Sequence, residues 1–460
     1  MDTLEPIVND ATLLVPPNVT PPQGHLPLWK FLPTFIRNPL ATLPRQIYEE
    51  RFVYRPDRNI LWVTAPDIVE RLLLTEVASV GKTKLERRAL ASLGDGLLTS
   101  EGASWKWQRR ITAPVFRNAD LLALIPGMVA AAEEQVAEWR GRTLNGPQAI
   151  DQDMEAVTFN IISRTIFAGA ADTEGDTIRH NADVLLDTVP WRILGTILNV
   201  PGWVWHPGKT AAARASVSSR ATVAAILERR RARGTEGADI TARLMAARDP
   251  DTGAPMSDEQ LIDNLLTFLA AGHETTAKAL TWTLYLLARA PEWQRRVCAE
   301  VAQVAGTASL TAAHLDQLVI TKQVVKEAMR LYPPAPMMSR VLVAPFRCDE
   351  HELPIGTHVV IPIYAIHRHH KLWDNPDAFD PTRFAPEREA SYPRAQFMPF
   401  GFGPRICIGM SFAMMEAVLL LATFVRDAHF VWDGAHLPEP LSRVTLRPKG
   451  GMPLHMSMRK

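Results

Sequence analysis

The run 410–425 is almost entirely apolar, which predicts a helix buried on all sides rather than one with a polar face. Further helical stretches are read at 119–140, 211–233, 257–290 and 322–331. Strand character is found at 59–64, 358–361 and 454–458. The expected architecture is mainly α with a small β portion. The stretch 257–290 opens on Ser257-Asp258-Glu259-Gln260, a capping-box pattern, and Pro291 supplies its stop. It runs apolar through Leu261, Leu265, Leu266, Phe268 and Leu269, then breaks at Ala270-Ala271-Gly272-His273-Glu274-Thr275-Thr276. Gly272 costs about 1 kcal/mol relative to alanine inside a helix, and the threonine hydroxyls can bond back to the backbone. Weakness in the middle of a strong helix suggests a functional groove or kink. An ordinary Glu274–Lys278 pair on an exposed face is the competing reading. Asp263, His273, Glu274 and Lys278 argue against a membrane span.

The chain has 460 residues, 47% of them hydrophobic, so a large core is possible. No Gly/Ser-rich linker, charge block or repeat divides it, which favours one large domain over 46–460. The preceding residues 1–45 are broken by Pro16, Pro17, Pro21, Pro22, Pro33 and Pro39 and read as an extended arm over the surface. No signal peptide or transmembrane anchor is expected there. Peripheral membrane contact at Leu26, Leu28, Trp29, Phe31 and Phe35 is a weaker expectation. A formal net charge of +1 argues against a nucleic-acid binder. Cys298, Cys348 and Cys407 are odd in number and far apart, which suits neither a disulfide framework nor a zinc site and points to a reducing, cytoplasmic setting.

Candidate chemistry gathers at Phe400-Gly401-Phe402-Gly403-Pro404-Arg405-Ile406-Cys407-Ile408-Gly409. A lone cysteine is most often a small core hydrophobe. A core cysteine, however, needs no glycine-rich approach, which lets a backbone come close to something flat. At the mouth of the 410–425 helix, Cys407 is biased toward thiolate, a good axial ligand for haem iron. Glu327 and Arg330 can pair at i and i+3. Such a pair is common on surface helices, but Tyr332-Pro333-Pro334-Ala335-Pro336 follows it, and Arg383 stands in a second proline-set loop. A buried glutamate between two arginines would staple that loop to the helix.

Together these signatures resemble the cytochrome P450 family, over essentially the whole chain and in the type expected of a soluble bacterial member. The ligand loop matches Phe-x-x-Gly-x-x-x-Cys-x-Gly at Phe400, Gly403, Cys407 and Gly409. The long-helix motif matches at Ala271, Gly272, Glu274, Thr275 and Thr276, and the Glu-x-x-Arg motif at Glu327 and Arg330 with Arg383 as third member. The resemblance implies haem b, ligated by Cys407. It further implies propionate contacts from Trp105, Arg109, Arg340 and Arg405, clearance for the porphyrin at Gly403 and Gly409, and Phe400 packed near the sulfur. Thr382 stands where many relatives carry glutamate, with little consequence expected. The histidines of His367-Arg368-His369-His370 are expected in a surface loop rather than as ligands.

The implied activity is insertion of one oxygen atom from O2 into a hydrophobic small molecule. Thr275 would orient the oxygen through its hydroxyl, Glu274 would pass protons from solvent, and Gly272 would leave room for dioxygen; Thr276 is the lesser candidate. Electrons would come from a separate ferredoxin- or flavodoxin-type donor with its reductase, docking on a basic face that includes Arg110. By similarity the pocket walls include residues 85–98 and 191–205, Leu269, Ala270, Ala335, Met337, Val444 and Thr445. The stretch Gly94-Asp95-Gly96-Leu97-Leu98-Thr99-Ser100 resembles fatty-acid and terpenoid hydroxylases more than small-ring ones. Two competing readings are a peroxide-using or rearranging relative, and a non-catalytic haem sensor. The paired Glu274 and Thr275 count against both.

Overall fold

The helices that place the site are α1 (Leu28–Arg37), α2 (Gly102–Thr112), α3 (Ile150–Phe167), α4 (Asp258–Arg289), α5 (Val319–Leu331) and α6 (Met410–Asp427). The strands are β1 (Phe52–Arg55), β2 (Ile60–Val63), β3 (Val80–Gly81), β4 (Met338–Leu342), β5 (His358–Ile361), β6 (Glu439–Ser442) and β7 (Leu446–Lys449), with short additional strands elsewhere. This computed structural model describes residues 13–167, 175–197, 200–201, 203–234, 237 and 239–459. At 57% helix and 11% strand, the mainly α expectation is met.

Helix α4 forms where the capping box predicts it: the Ser257 hydroxyl accepts from the Gln260 N–H at 3.2 Å, and Gln260 reaches back to the Ser257 N–H at 2.9 Å. From Ala277 to Leu287 every residue is buried. A helix enclosed this completely can be apolar all round, and α6 beside it is built the same way. The stretch 119–140 instead divides into Asn118–Leu122 and Ile125–Gly141. Pro126 explains the division, since proline is tolerated in a first turn but not in a helix interior. A second apolar cluster lies under a five-stranded sheet of order β1-β2-β5-β4-β3. There β2 pairs parallel to β5 with Leu61 against Val359, and β4 antiparallel to β5 with Arg340 against Val359.

The arm is not extended throughout, because α1 is helical despite Pro33. None of the α1 residues is buried, and Leu28 and Trp29 are 62% and 71% exposed. Farther back the arm is tied down: the Tyr332 hydroxyl donates to the Pro17 carbonyl at 2.7 Å, and the Phe379 N–H to the Leu14 carbonyl at 2.8 Å.

Arg330 is fully buried, and each of its five N–H donors is used. Two go to Glu327 at 2.7 Å, and the others to the carbonyls of His367, Pro376 and Ala378. Glu327 also accepts from the Asp380 N–H at 2.8 Å, and Arg383 Nε stands 3.5 Å away. The expected staple is formed, and Thr382 leaves it undisturbed. The adjoining histidines overturn the surface-loop expectation: His367 and His369 are buried, and only His370 is exposed. His367 Nε2 accepts from the Met398 N–H at 3.0 Å. Burial and then the charges of Arg330 and Arg368 push its pKa down to about 3, so it serves as a neutral acceptor. Removing Glu327 leaves Arg330 buried without its counter-charge, a loss of about 3–5 kcal/mol by analogy with other broken buried pairs. Glu327→Ala is therefore expected to unfold at far lower urea than the parent holoprotein; an unchanged midpoint would show that the pair is dispensable.

Candidate active site

The ligand loop reaches α6 through two left-handed glycines, Gly401 at φ +77° and Gly403 at φ +76°. A Cβ on Gly403 would lie 1.9 Å from the Leu73 carbonyl oxygen. Gly403 is thus required by a backbone neighbour, which corrects its assignment to porphyrin clearance. The Cys407 N–H donates to the Phe400 carbonyl at 2.9 Å, fixing both residues on one turn. Gly409 precedes α6, and a Cβ there would stand 4.0 Å from Cys407 Sγ. Cys407 is accessible, whereas Cys348 is buried. The surrounding protein nonetheless desolvates Cys407 and raises its pKa, opposed by the Gly409 N–H and by Arg109.

Around this thiol lies a surplus of cations. Arg405 Cζ sits 4.3 Å over the Trp105 ring, and its Nη2 donates to the Ser100 carbonyl at 3.0 Å. Burial lowers the pKa values of Arg405 and Arg109, and for Arg405 the charge of Arg340 adds to this. Arg340 donates to the Ser339 carbonyl at 2.7 Å and stands 3.5 Å from Glu86. Lys82, which sequence reasoning missed, is buried in the same cluster and bonds Glu86 at 3.0 Å and the Leu98 carbonyl. Its signal is weak in sequence, since nothing near it marks a lysine that will be buried. Among the described residues neither Arg109 nor Arg405 has a carboxylate in contact. Desolvated guanidinium groups without counter-ions suit a ligand bearing carboxylates, as haem does with its two propionates. Among the described residues no three His, Cys, Asp or Glu converge to hold a bare ion, so one thiol fits iron carried in a ring. The residues present fit haem.

On α4, Ala271 is exposed and Thr275 partly so, while His273, Glu274, Thr276 and Ala277 are buried. The open residues share one face, and the Thr275 hydroxyl donates to the Ala271 carbonyl at 2.8 Å. Gly272 belongs to another face: a Cβ there would lie 2.6 Å from Ile162 Cδ1 on α3. Its small size serves helix packing, which corrects the expectation of space for dioxygen. Glu274 does not pair with Lys278, which bonds Glu155 instead. Its Oε1 accepts from the Thr445 hydroxyl at 2.7 Å and from Arg447 Nη2 at 2.9 Å.

Of the pocket candidates, Ala335 is exposed between the buried Pro334 and Pro336, while Ala270, Met337 and Val444 are half-buried. Leu269 is buried, and Thr445 is buried with its hydroxyl committed to Glu274. Trp203 and Trp205 are 80% and 71% exposed, so they are not pocket walls, while residues 198–199 and 202 of that stretch lie outside the described residues. In the 94–100 loop, a Cβ on Gly94 or Gly96 would run into Asp263 or Thr267, so these glycines seat the loop against α4. Arg110 is engaged by Asp249 and Asp251, which removes it as a free docking cation.

An accessible cysteine near desolvated guanidinium groups that lack carboxylate partners is what a haem-thiolate site would need. Residues 44–453 match the family described as Cytochrome P450. Cyclooctat-9-en-7-ol 5-monooxygenase of Streptomyces melanosporofaciens is 32% identical over 88% of this chain and 87% of its own. A cytokinin hydroxylase of Arabidopsis thaliana is 30% identical over 88% of this chain and 80% of its own. The crystal structure of the cytochrome P450DA heme domain superposes with a TM-score of 0.82 at 26% identity, covering 96% of this chain and 98% of that one. The chain belongs to the cytochrome P450 family and is a monooxygenase with haem as cofactor. Among the described residues no helix is long and apolar enough to cross a membrane.

One further titratable group lies behind the site. Glu416 on α6 is fully buried and neither carboxyl oxygen has a hydrogen-bond partner. Burial raises its pKa to about 8, while the Thr276 hydroxyl, beyond bonding reach, weakly opposes the shift. A carboxyl raised in the folded state costs nothing below its unfolded pKa, then destabilises increasingly until pH passes the folded value. Glu416 should therefore lower stability as pH rises from about 4.5 to about 8, by at most ~1.4 kcal/mol per unit. Glu416→Gln removes that slope, so its melting temperature relative to the parent should be higher at pH 8 than at pH 5. A pH-independent difference would refute the buried neutral acid.

Proposed function

We propose that this enzyme hydroxylates a hydrophobic small molecule, taking one oxygen atom from O2 and two electrons from a separate ferredoxin- or flavodoxin-type donor with its reductase. The observation that carries this reading is the acid–alcohol pair on α4: Thr275 on the open face beside Ala271, and Glu274 buried next to it with a bonded carboxylate. Haem bound through Cys407 supplies the redox and oxygen-activating chemistry, the thiolate favouring O–O cleavage. Thr275 holds a hydroxyl where it can bond the oxygen and transmit a proton, exchanging its bond to the Ala271 carbonyl. Glu274 is the acid that refills it, and the partly exposed Arg447 gives that acid an edge toward solvent. A peroxide-using relative has no need of this pair.

An apolar substrate is supported by Ala335, Met337 and Val444. Relatives named for cyclooctat-9-en-7-ol and 11-oxo-beta-amyrin favour a ring-containing skeleton.

The reduced holoprotein under carbon monoxide should show the red-shifted Soret band of a thiolate ligand, and Cys407→Ala should lose it. A folded, haem-loaded parent without that band would defeat the assignment of Cys407. Thr275→Ala should lower product formed per electron pair by ~10²-fold, the low end for a lost proton-transfer group, with peroxide rising to match. Coupling that stays at the parent level would remove Thr275 from the relay.

A further inference from the structure

The two groups that hold Glu274 come from one hairpin. Strands β6 and β7 pair with Leu441 opposite Arg447 and Ser442 opposite Leu446. The 443–445 turn between them closes with the Arg443 N–H on the Thr445 carbonyl at 3.0 Å. Thr445 and Arg447 both bond Glu274 Oε1, so Oε2 has no bonded partner among the described residues. Arg447 carries a strain of its own, because its Nε is buried without a hydrogen-bond partner and its charge acts against Arg443.

The same hairpin is anchored from outside by the N-terminal arm. Arg443 donates to the carbonyls of Ile36 and Arg37 at the end of α1, both at 3.0 Å. Asn38, itself 3% exposed, donates to the Pro440 carbonyl at 2.8 Å and accepts from the Ser442 N–H at 3.2 Å. On the inner side the Leu446 carbonyl accepts from Trp282 on α4 at 3.0 Å, and the Leu446 N–H donates to the Pro334 carbonyl at 2.9 Å. The hairpin is therefore held by the arm on one side, by Glu274 on the other and by the backbone of Leu446 between them.

We propose that the β6–β7 turn is a latch on the relay acid, held shut from the surface by the arm, with Thr445 and Arg447 as positioning residues that set when Glu274 can serve Thr275. This rests on the acid–alcohol reading of α4 above. With the latch closed, Glu274 is committed to the hairpin. With it open, the acid gives one proton to the Thr275 hydroxyl oxygen while that hydroxyl passes its own proton on. The proton it gives is one the carboxylate has first taken from solvent water on leaving Arg447, so Glu274 ends each cycle as the carboxylate it began.

The test uses substrate-free holoprotein reduced with one equivalent of dithionite and mixed with air-saturated buffer. Arg447→Gln and Asn38→Ala should each speed reoxidation by about fivefold or more, the lower range for coupling between sites. Neither should do so in a Glu274→Gln background, since an effect routed through Glu274 disappears with it. Hydrogen exchange of the ferric holoprotein should rise across 441–447 in both variants. Unchanged reoxidation in Arg447→Gln, or equal acceleration with and without Glu274, overturns the latch. Exchange at the turn that does not rise in Asn38→Ala removes the arm from it. Normal coupling in Thr275→Ala instead defeats the acid–alcohol reading, whatever the hairpin does.

Discussion

The fold depends on one buried cation being completely satisfied. Arg330 is fully removed from water, where an uncompensated charge would cost several kcal/mol. The five oxygens that answer its donors come from its own helix and from the segment 367–378. That segment cannot drift without stranding a charge. It in turn presents His367 as an acceptor to the Met398 N–H, two residues before the ligand loop begins at Phe400. The position of Cys407 is thus set by a chain of polar contacts that starts on α5, and apolar packing alone would not specify it.

The site applies the opposite electrostatic logic. Around Arg330 each charge is paired within the protein, whereas near the ligand loop Arg109 and Arg405 are desolvated with no carboxylate in contact among the described residues, and Lys82 and Arg340 share the carboxylate of Glu86. Such an imbalance opposes folding of the bare chain and favours a dianionic ligand, so haem binding and stability are linked through the same residues. The thiol follows suit. Its pKa is raised by burial in the protein alone, and a metal ion deprotonates the thiol that coordinates it.

Local signals were legible and long-range ones were not. The capping box at Ser257, the apolar run of α6 and the glycine-rich loop each declare themselves within a single short segment, because they are matters of local sequence. The roles of Gly272 and Gly403 could not be read this way. Both were assigned to ligand clearance, yet Gly272 answers to Ile162 and Gly403 to Leu73, neighbours that only the fold supplies. Trp203 and Trp205 were misplaced for the same reason, since an aromatic in a loop carries no sign of whether it faces a pocket or water. Proline marked the arm as irregular, yet α1 runs through Pro33 at its sixth residue, a position where proline ordinarily kinks or breaks a helix.

Buried acids show the limit most clearly. Glu274, Glu327 and Glu416 are all glutamates on helices, and only the first two carry a local motif that separates them in sequence. Glu327 is fixed by arginines, Glu274 by a hairpin 171 residues away, and Glu416 by nothing. An acid held by two arginines is structural, because neither proton state nor position can change without breaking several bonds. An acid with no partner can change its proton state but has no route for the proton. Glu274 lies between these cases: its contacts are few, both fall on one oxygen, and one donor reaches toward solvent. That intermediate constraint is what a group needs if it must keep a charge in place at rest and still deliver a proton on demand.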